Sequence, residues 1–236
     1  MAKVRVLASA VALTPPLLLA VATGAQASAT SSAPATSSAS ATSAPVTSSS
    51  APAAARPAGT VSAAAVTKTV KLVTQEQSKS YYCAPAAGRA VASTWMPKSS
   101  LPSQNTVAKA MHTKAPNGTG TAWIAIGINA VIHRGSYYQN LHPTSANFVW
   151  NAVTYDIGTK KHAVVARVLA GAKPWTPHWN DKTGHAMVIY GYHSDSHGKQ
   201  LYWWDPADNT FHHSSLSSSW TAISKGGKNL IGFYPS

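Results

Sequence analysis

Between Ser28 and Ala65 the chain is built almost entirely of serine, alanine, threonine and proline. Arg56 is the only charge in this stretch, and no aromatic residue occurs in it. Such a segment buries too little apolar surface to offset the entropy lost on ordering it. It is expected to be a disordered tether whose hydroxyls are open to glycosylation, or a pro-segment without a role of its own. In either case any hydrophobic core must come from residues 66–236, a length that suits one domain.

The residues ahead of the tether have a different pattern. Lys3 and Arg5 precede an apolar run from Val6 to Ala22, and Ala25-Gln26-Ala27 follows. A basic head, a hydrophobic middle and a small-x-small site make residues 1–27 a secretory signal peptide by pattern. The run is short and Pro15-Pro16 interrupts it, so no permanent membrane span is expected. There is no twin arginine, which favours the general secretion route. No cysteine lies near the cleavage pattern to carry a lipid. The expected location is outside the cell, free or associated with a cell wall.

All six acidic residues of the chain (Glu76, Asp156, Asp181, Asp195, Asp205 and Asp208) fall within residues 66–236, against sixteen lysines and arginines. A surface this basic attracts polyanions. Outside a cell, anionic wall polymers and lipid head groups are the candidates, although solubility alone would also explain the charge. Nucleic acid is not an expected partner, because the chain shows neither a recognition motif nor a basic stripe.

Hydrophobic spacing divides the domain. Val66 to Val73 alternates roughly and suggests an opening strand or extended lead-in. Ala86, Ala87, Ala90, Val91, Thr94 and Trp95 recur at helical spacing, with Pro85 suited to a first turn and Pro97 as the stop. A second helix is expected from Ser103, as N-cap, to Met111. A third covers AWIAIGINAVI with Thr121 as cap, and a fourth runs from Ser145 to about Asp156. The pattern then becomes β-branched and apolar. HAVVARVLAG (162–171), AMVIYGY (186–192), KQLYWW (199–204) and NLIGFY (229–234) read as strands, the second and third joined by the polar turn HSDSHG. Helices followed by strands predict an α+β fold, with helices on one side of a mainly antiparallel sheet.

Cys83 is the only cysteine. A lone cysteine is ordinarily a small buried hydrophobe. This one stands just before a predicted helix, where unpaired N–H groups and the helix dipole favour an anion and lower a thiol pKa. Lys79 and Arg89 add positive charge nearby. Gln77, six residues upstream, offers an amide donor to an oxyanion beside the thiolate.

A thiol nucleophile needs a base, and ten histidines are available. His112, His133, His142, His162 and His178 have no distinctive frame. His193 with His197, and His212 with His213, lack a third ligand at metal-binding spacing, so no metal or other cofactor is expected. His185 differs: Gly184 precedes it, leaving no neighbouring side chain to block a substrate, and an apolar strand follows. The return strand ends in WWDPAD. A hairpin can bring Asp205 beside the His185 imidazole to fix its tautomer, with Trp203 or Trp204 shielding the contact. A strand-end histidine and a turn-forming Asp-Pro are common separately; the order Cys, His, Asp in these frames is much less so.

The segments QSKSYYCAPAA, GHAMVIYGY and WWDPAD resemble the signature segments of papain-like cysteine peptidases. The closest group is the one related to the double-glycine leader peptidases, here in a stand-alone secreted form without a transporter. The likeness is specific in these segments and weaker in TVAKAMHT and GTGTAWIAIGINAV. It implies a papain-like fold acting on a peptide or protein, with Cys83 as nucleophile, His185 as base and acid, Asp205 as orienter and Gln77 as oxyanion donor. One departure stands out. The family has glycine after the cysteine, whereas this chain has Ala84, whose methyl narrows the approach to the thiol. Three functions follow: a secreted thiol peptidase, a wall amidase or transpeptidase using the same three residues, or a non-catalytic binding module on this fold.

Overall fold

The computed structural model describes residues 64–177 and 182–235. Every described residue belongs to one compact unit. The expected signal peptide and nearly all of the expected tether lie outside the described residues, as do His178 and Asp181.

In chain order the elements are β1 (Val66–Thr69), α1 (Cys83–Ala92), α2 (Gln104–Ala110), α3 (Thr121–Ile132), β2 (Gln139–Leu141), α4 (Ala146–Val153), a π-helical turn (Thr154–Lys160), β3 (Val164–Leu169), β4 (Ala172–Lys173), β5 (Thr176–Pro177), β6 (Gly184–Asp195), β7 (Gly198–Asp205), β8 (Thr210–Ser215), α5 (Leu216–Lys225) and β9 (Asn229–Gly232). The main sheet runs β2-β9-β3-β6-β7-β8, with β1 added beside the upper half of β6. Every pairing in it is antiparallel. The fold is α+β, as the order of sequence patterns predicts.

The sheet has two buried faces, which explains why its strands read as continuous apolar runs. Neighbours on one strand point to opposite sides. Val165, Val188 and Trp204 meet Ala87, Val91, Val107, Met111, Ile124 and Ile128 of α1, α2 and α3. Val164, Met187 and Trp203 meet Val149, Val153, Ile157 and Ile223 on the other face, under α4, the π-turn and α5. The N-terminal helices therefore cover one face as expected, and later helices cover the second. Trp203 and Trp204 are fully buried back to back; truncating either to alanine would cost about 3–5 kcal/mol.

Two glycines set the spacing of the first helical layer. A β-carbon at Gly88 of α1 would lie 2.3 Å from Met111 Cε, and one at Gly127 of α3 would lie 2.3 Å from Met111 Cγ. The three helices thus close around a single methionine, leaving α1 near enough to the sheet to place its first residue against β6.

Several boundaries differ from expectation for local reasons. α1 stops at Ala92, ahead of Pro97, because Ser93 Oγ and Thr94 Oγ1 donate back to Ala90 O and Val91 O and replace helical partners. Ser103 and Ser145 do cap α2 and α4, accepting from the backbone N–H of Thr106 and Phe148. Thr121 is the first residue of α3, and its N-cap is Gly120. The fourth helix widens into the π-turn at Thr154, and Lys161 closes it with φ of 65°.

Candidate active site

α1 begins at Cys83 itself, and its N-cap Tyr82 supplies no side-chain bond to the first turn. The N–H groups there are free to face an anion. β6 begins at Gly184, so His185 stands at the strand mouth, and β7 ends at Asp205. The β6–β7 hairpin returns the chain to bring His185 Nε2 within 2.7 Å of Asp205 Oδ1. With Nε2 engaged, Nδ1 is the nitrogen left for the hydrogen bond between His185 and the Cys83 thiol. The structure therefore brings together three of the four residues singled out from the sequence in the order thiol, imidazole, carboxylate.

The environment separates their charges. Burial alone pushes the Cys83 thiol up, but contact with His185, together with the backbone N–H groups of Ala186 and Ala84, holds it below its ordinary value. Burial works against the His185 cation as well, yet Asp205 and Cys83 raise it to about 9. Asp205 is fully buried, which would favour its neutral form, while His185, Lys173 and the Ala207 N–H keep it far below the usual carboxylate range. These directions favour a thiolate beside an imidazolium.

Lys79 and Arg89 are not part of that balance. Lys79 Nζ lies 4.8 Å from the Tyr82 ring centroid, and Arg89 Nε donates to Pro102 O. Lys173 was not anticipated. It sits on the β4–β5 hairpin, with Nζ 2.5 Å from Asp205 Oδ2. The contact is an ion pair by distance, although its angles do not make it a regular hydrogen bond and Oδ2 has no other partner. Only a lysine in GAKPWTP marks it in the sequence, and nothing there indicates what it faces.

Gln77 lies against the same turn, with its backbone N–H donating to Pro206 O at 2.8 Å. Its side-chain Nε2 donates to Lys79 O and Ser80 O at 3.1 and 3.0 Å, and Oε1 is buried without a donor. Both amide hydrogens thus hold the turn leading into Cys83. Donation to an oxyanion requires one of them to exchange its carbonyl for substrate.

Cys83, Ala84, His185 and Ala186 open onto a cleft of about 180 Å³, closed at the sides by Pro116, Asn117, Gly118, Thr119 and Ile124. Ala84 is buried and lines it, so its methyl does border the approach to the sulfur. Gly184 does not leave open space before His185, because the Arg167 guanidinium lies across it.

Other histidines have structural places. His162 stacks on Trp95 at 3.5 Å, His212 on Trp175 at 3.9 Å. His193 and His197 both contact Asp195, at 3.1 and 3.4 Å, a carboxylate the sequence reading did not place between them. Among the described residues no group of three or more His, Cys, Asp or Glu is arranged to hold a metal ion.

A family model described as the Peptidase_C39 like family matches residues 67–228. The chain belongs to that family. The match spans Gln77, Cys83, His185 and Asp205, and it makes the chain a cysteine peptidase by family, with peptides or proteins as the substrate class. The search of curated proteins returns no match. Among solved structures, the peptidase is similar to a recombinant stem bromelain precursor, with 13% identity over 72% of this chain and 68% of that one and a TM-score of 0.48. It is also similar to the bromelain protease from Ananas comosus in complex with the E64 inhibitor (14% identity, 70% and 93% covered, TM-score 0.46). A third is digestive procathepsin L 3 of Tenebrio molitor larval midgut (12%, 72% and 69%, TM-score 0.49). These likenesses are distant, and the family assignment rests on the match of residues 67–228. No helix among the described residues is long and apolar enough to cross a membrane.

Proposed function

We propose that the chain is a secreted thiol peptidase that hydrolyses peptide bonds through Cys83, His185 and Asp205. The observation that carries this reading is the hydrogen-bonded series from the Cys83 thiol through His185 to the buried Asp205 carboxylate, at the floor of an open cleft. The Cys83 thiolate attacks the scissile carbonyl carbon. The oxyanion forms beside the N–H groups that open α1 and beside Gln77. The His185 imidazolium gives its proton to the leaving amine, and the C–N bond breaks to leave a thioester. Neutral His185 then takes a proton from water, hydroxide displaces the thiolate, and the acid leaves with the imidazolium restored. Asp205 orients the ring throughout and stays ionised. Secretion and the role of residues 28–65 as a tether are part of the proposal and rest on the sequence pattern of residues 1–65.

A second reading keeps the same three residues and makes the acyl donor a cell-wall peptide. A basic surface groove of about 530 Å³ favours it. Lys79, Lys109, His112 and Lys114 line this groove beside Tyr82, where an anionic wall polymer would be held close to the cleft.

The test is the pH dependence of Cys83 alkylation by iodoacetamide, read by intact mass, beside cleavage of casein and of purified wall. A free thiol reacts appreciably near its own pKa, about 8.5. Wild-type protein is expected to react well below pH 7 and His185→Ala only at high pH. Both Cys83→Ala and His185→Ala are expected to lose hydrolysis while remaining folded. Equal reactivity of wild type and His185→Ala would remove the nucleophile and leave a binding module. Release of muropeptides without cleavage of casein would select the second reading.

A further inference from the structure

Arg167 stands on β3 opposite Ala186 of β6 and Asn229 of β9. Its guanidinium occupies the space over Gly184. A β-carbon on that glycine would lie 2.1 Å from Nη2, 2.6 Å from Cζ and 2.7 Å from Nε. The head group is held by Nη1, which donates to Gly226 O at 2.9 Å. No acceptor among the described residues meets Nε or Nη2, and no described carboxylate pairs with the side chain. Arg167 is half-buried and lines the same cleft as Cys83 and His185, together with Ser80, Asn117 and Thr119. None of the described residues lining the cleft is acidic.

A guanidinium partly withdrawn from water, with no anion among the described residues, is unfavourable unless something fills the role. This one is fixed at one nitrogen and keeps N–H groups unused, the arrangement that receives a carboxylate through two parallel hydrogen bonds. Ser80, Asn117 and Thr119 in the cleft offer hydroxyls and an amide, which add polarity and carry no charge themselves. A carboxylate that enters the cleft with the substrate can approach these N–H groups.

We infer that Arg167 determines specificity: it receives an acidic side chain of the substrate close to the scissile bond. This rests on the thiol peptidase reading above. It also gives Gly184 a purpose, since any side chain there would displace the guanidinium.

Two experiments separate this inference from the reading it rests on. The first needs no peptide hydrolysis. Cys83 is alkylated by iodoacetate and by iodoacetamide, which differ by a carboxylate against an amide, in wild type, Arg167→Gln and Arg167→Lys. The iodoacetate-to-iodoacetamide rate ratio is expected to fall several-fold in Arg167→Gln and to recover in Arg167→Lys, with the wild-type ratio decreasing as salt rises. An unchanged ratio in Arg167→Gln overturns the inference. The Lys variant separates lost charge from a disturbed turn at Gly226. The second experiment compares kcat/KM for end-blocked peptides carrying Glu or Gln at successive positions. At one position Glu is expected to be preferred by about tenfold or more, the preference vanishing in Arg167→Gln and passing to Lys in Arg167→Glu. A preference that persists in Arg167→Gln, or that appears only with a free C-terminal carboxylate, overturns the side-chain assignment. If no peptide is cleaved while the alkylation ratio still falls, the peptidase reading fails and the carboxylate site stands.

Discussion

Lys173 Nζ lies 2.5 Å from Asp205 Oδ2, on the carboxylate oxygen that His185 leaves unused. The buried carboxylate is thereby shared between two cations, one of them the imidazole that faces the thiol. Lys173 belongs to a two-residue strand of a short hairpin, so the carboxylate is held from outside the β6–β7 hairpin as well as from within it.

Replacing Lys173 with Met should leave Asp205 Oδ2 buried without a counter-charge and give His185 sole claim on the anion. The imidazolium is expected to persist to higher pH than the value of about 9 it now has. A pH–rate profile would show the alkaline limb moving upward with a lower plateau. An unchanged limb would make the contact incidental to the imidazole.

Gln77 divides two roles that can be measured apart. If one amide hydrogen turns to the oxyanion, Gln77→Ala should lower kcat by roughly 10²–10³-fold with KM little altered. If the amide serves only to hold Lys79 O and Ser80 O, the loss should appear in Tm and in alkylation of Cys83, because the turn entering α1 loosens. Kinetics and melting on one variant decide between them.

Ala84→Gly removes the methyl that borders the sulfur. Alkylation by a bulky maleimide is expected to accelerate more than alkylation by iodoacetamide, because only the larger reagent meets the methyl. The substitution places glycine in the first turn of α1, where the loss of stability should stay near or below about 1 kcal/mol. Equal acceleration of both reagents would point to a change in thiol pKa.

Asp156 gives a pH dependence of stability unconnected with the cleft. Burial raises its pKa to about 7, against the lowering effects of Phe233 N–H, the Tyr137 hydroxyl and Lys160. In the unfolded chain the group ionises near its ordinary value of 3.8. Between those two values the unfolded state releases a proton that the folded state keeps, so stability falls as pH rises through that window and levels off above about 7. Asp156→Asn should flatten that slope in urea melts taken between pH 4 and 8. An identical slope in both proteins would mean that Asp156 titrates normally.

Much of the site was legible because its signals are local. A helix start after Cys83, a strand start at His185 and an Asp-Pro at the end of a paired strand each need only a few residues to recognise, and the hairpin between them fixes their meeting. The polar turn expected over HSDSHG narrows to Ser196-His197, because His193–Asp195 and Gly198 continue β6 and β7 as paired strand. What escaped depends on tertiary neighbours. TFHHSS and LSSSWTAISK received no element from their spacing, yet they form β8 and α5: Ser215 caps the helix, and Trp203 Nε1 is within hydrogen-bonding distance of the hydroxyls of Ser214 and Ser219 at 3.1 and 3.3 Å. Those serines are buried because an indole N–H inside the sheet needs acceptors. Arg167 was hidden for a similar reason. Within HAVVARVLAG it reads as one charge in an apolar strand, and only the register of β3 against β6 places it over Gly184. Gly184 reads in the sequence as leaving the approach to His185 open, but the Arg167 guanidinium fills that space.

The Cys83 thiol and the His185 imidazole are carried by opposite sides of a packing interface. Cys83 rides on α1, His185 on β6, and between them lie Ala87 and Val91 against Val188 and Trp204. No single element contains the pair. The chemical state of the sulfur is therefore a gauge of tertiary assembly. A loosened form that kept its helices and strands but let α1 lift from β6 would carry a cysteine that titrates like any free thiol. The Cys83 thiol would lose its reactivity before the chain lost its secondary structure, and reactivity toward iodoacetamide near neutral pH would report that loosening earlier than circular dichroism in the far ultraviolet.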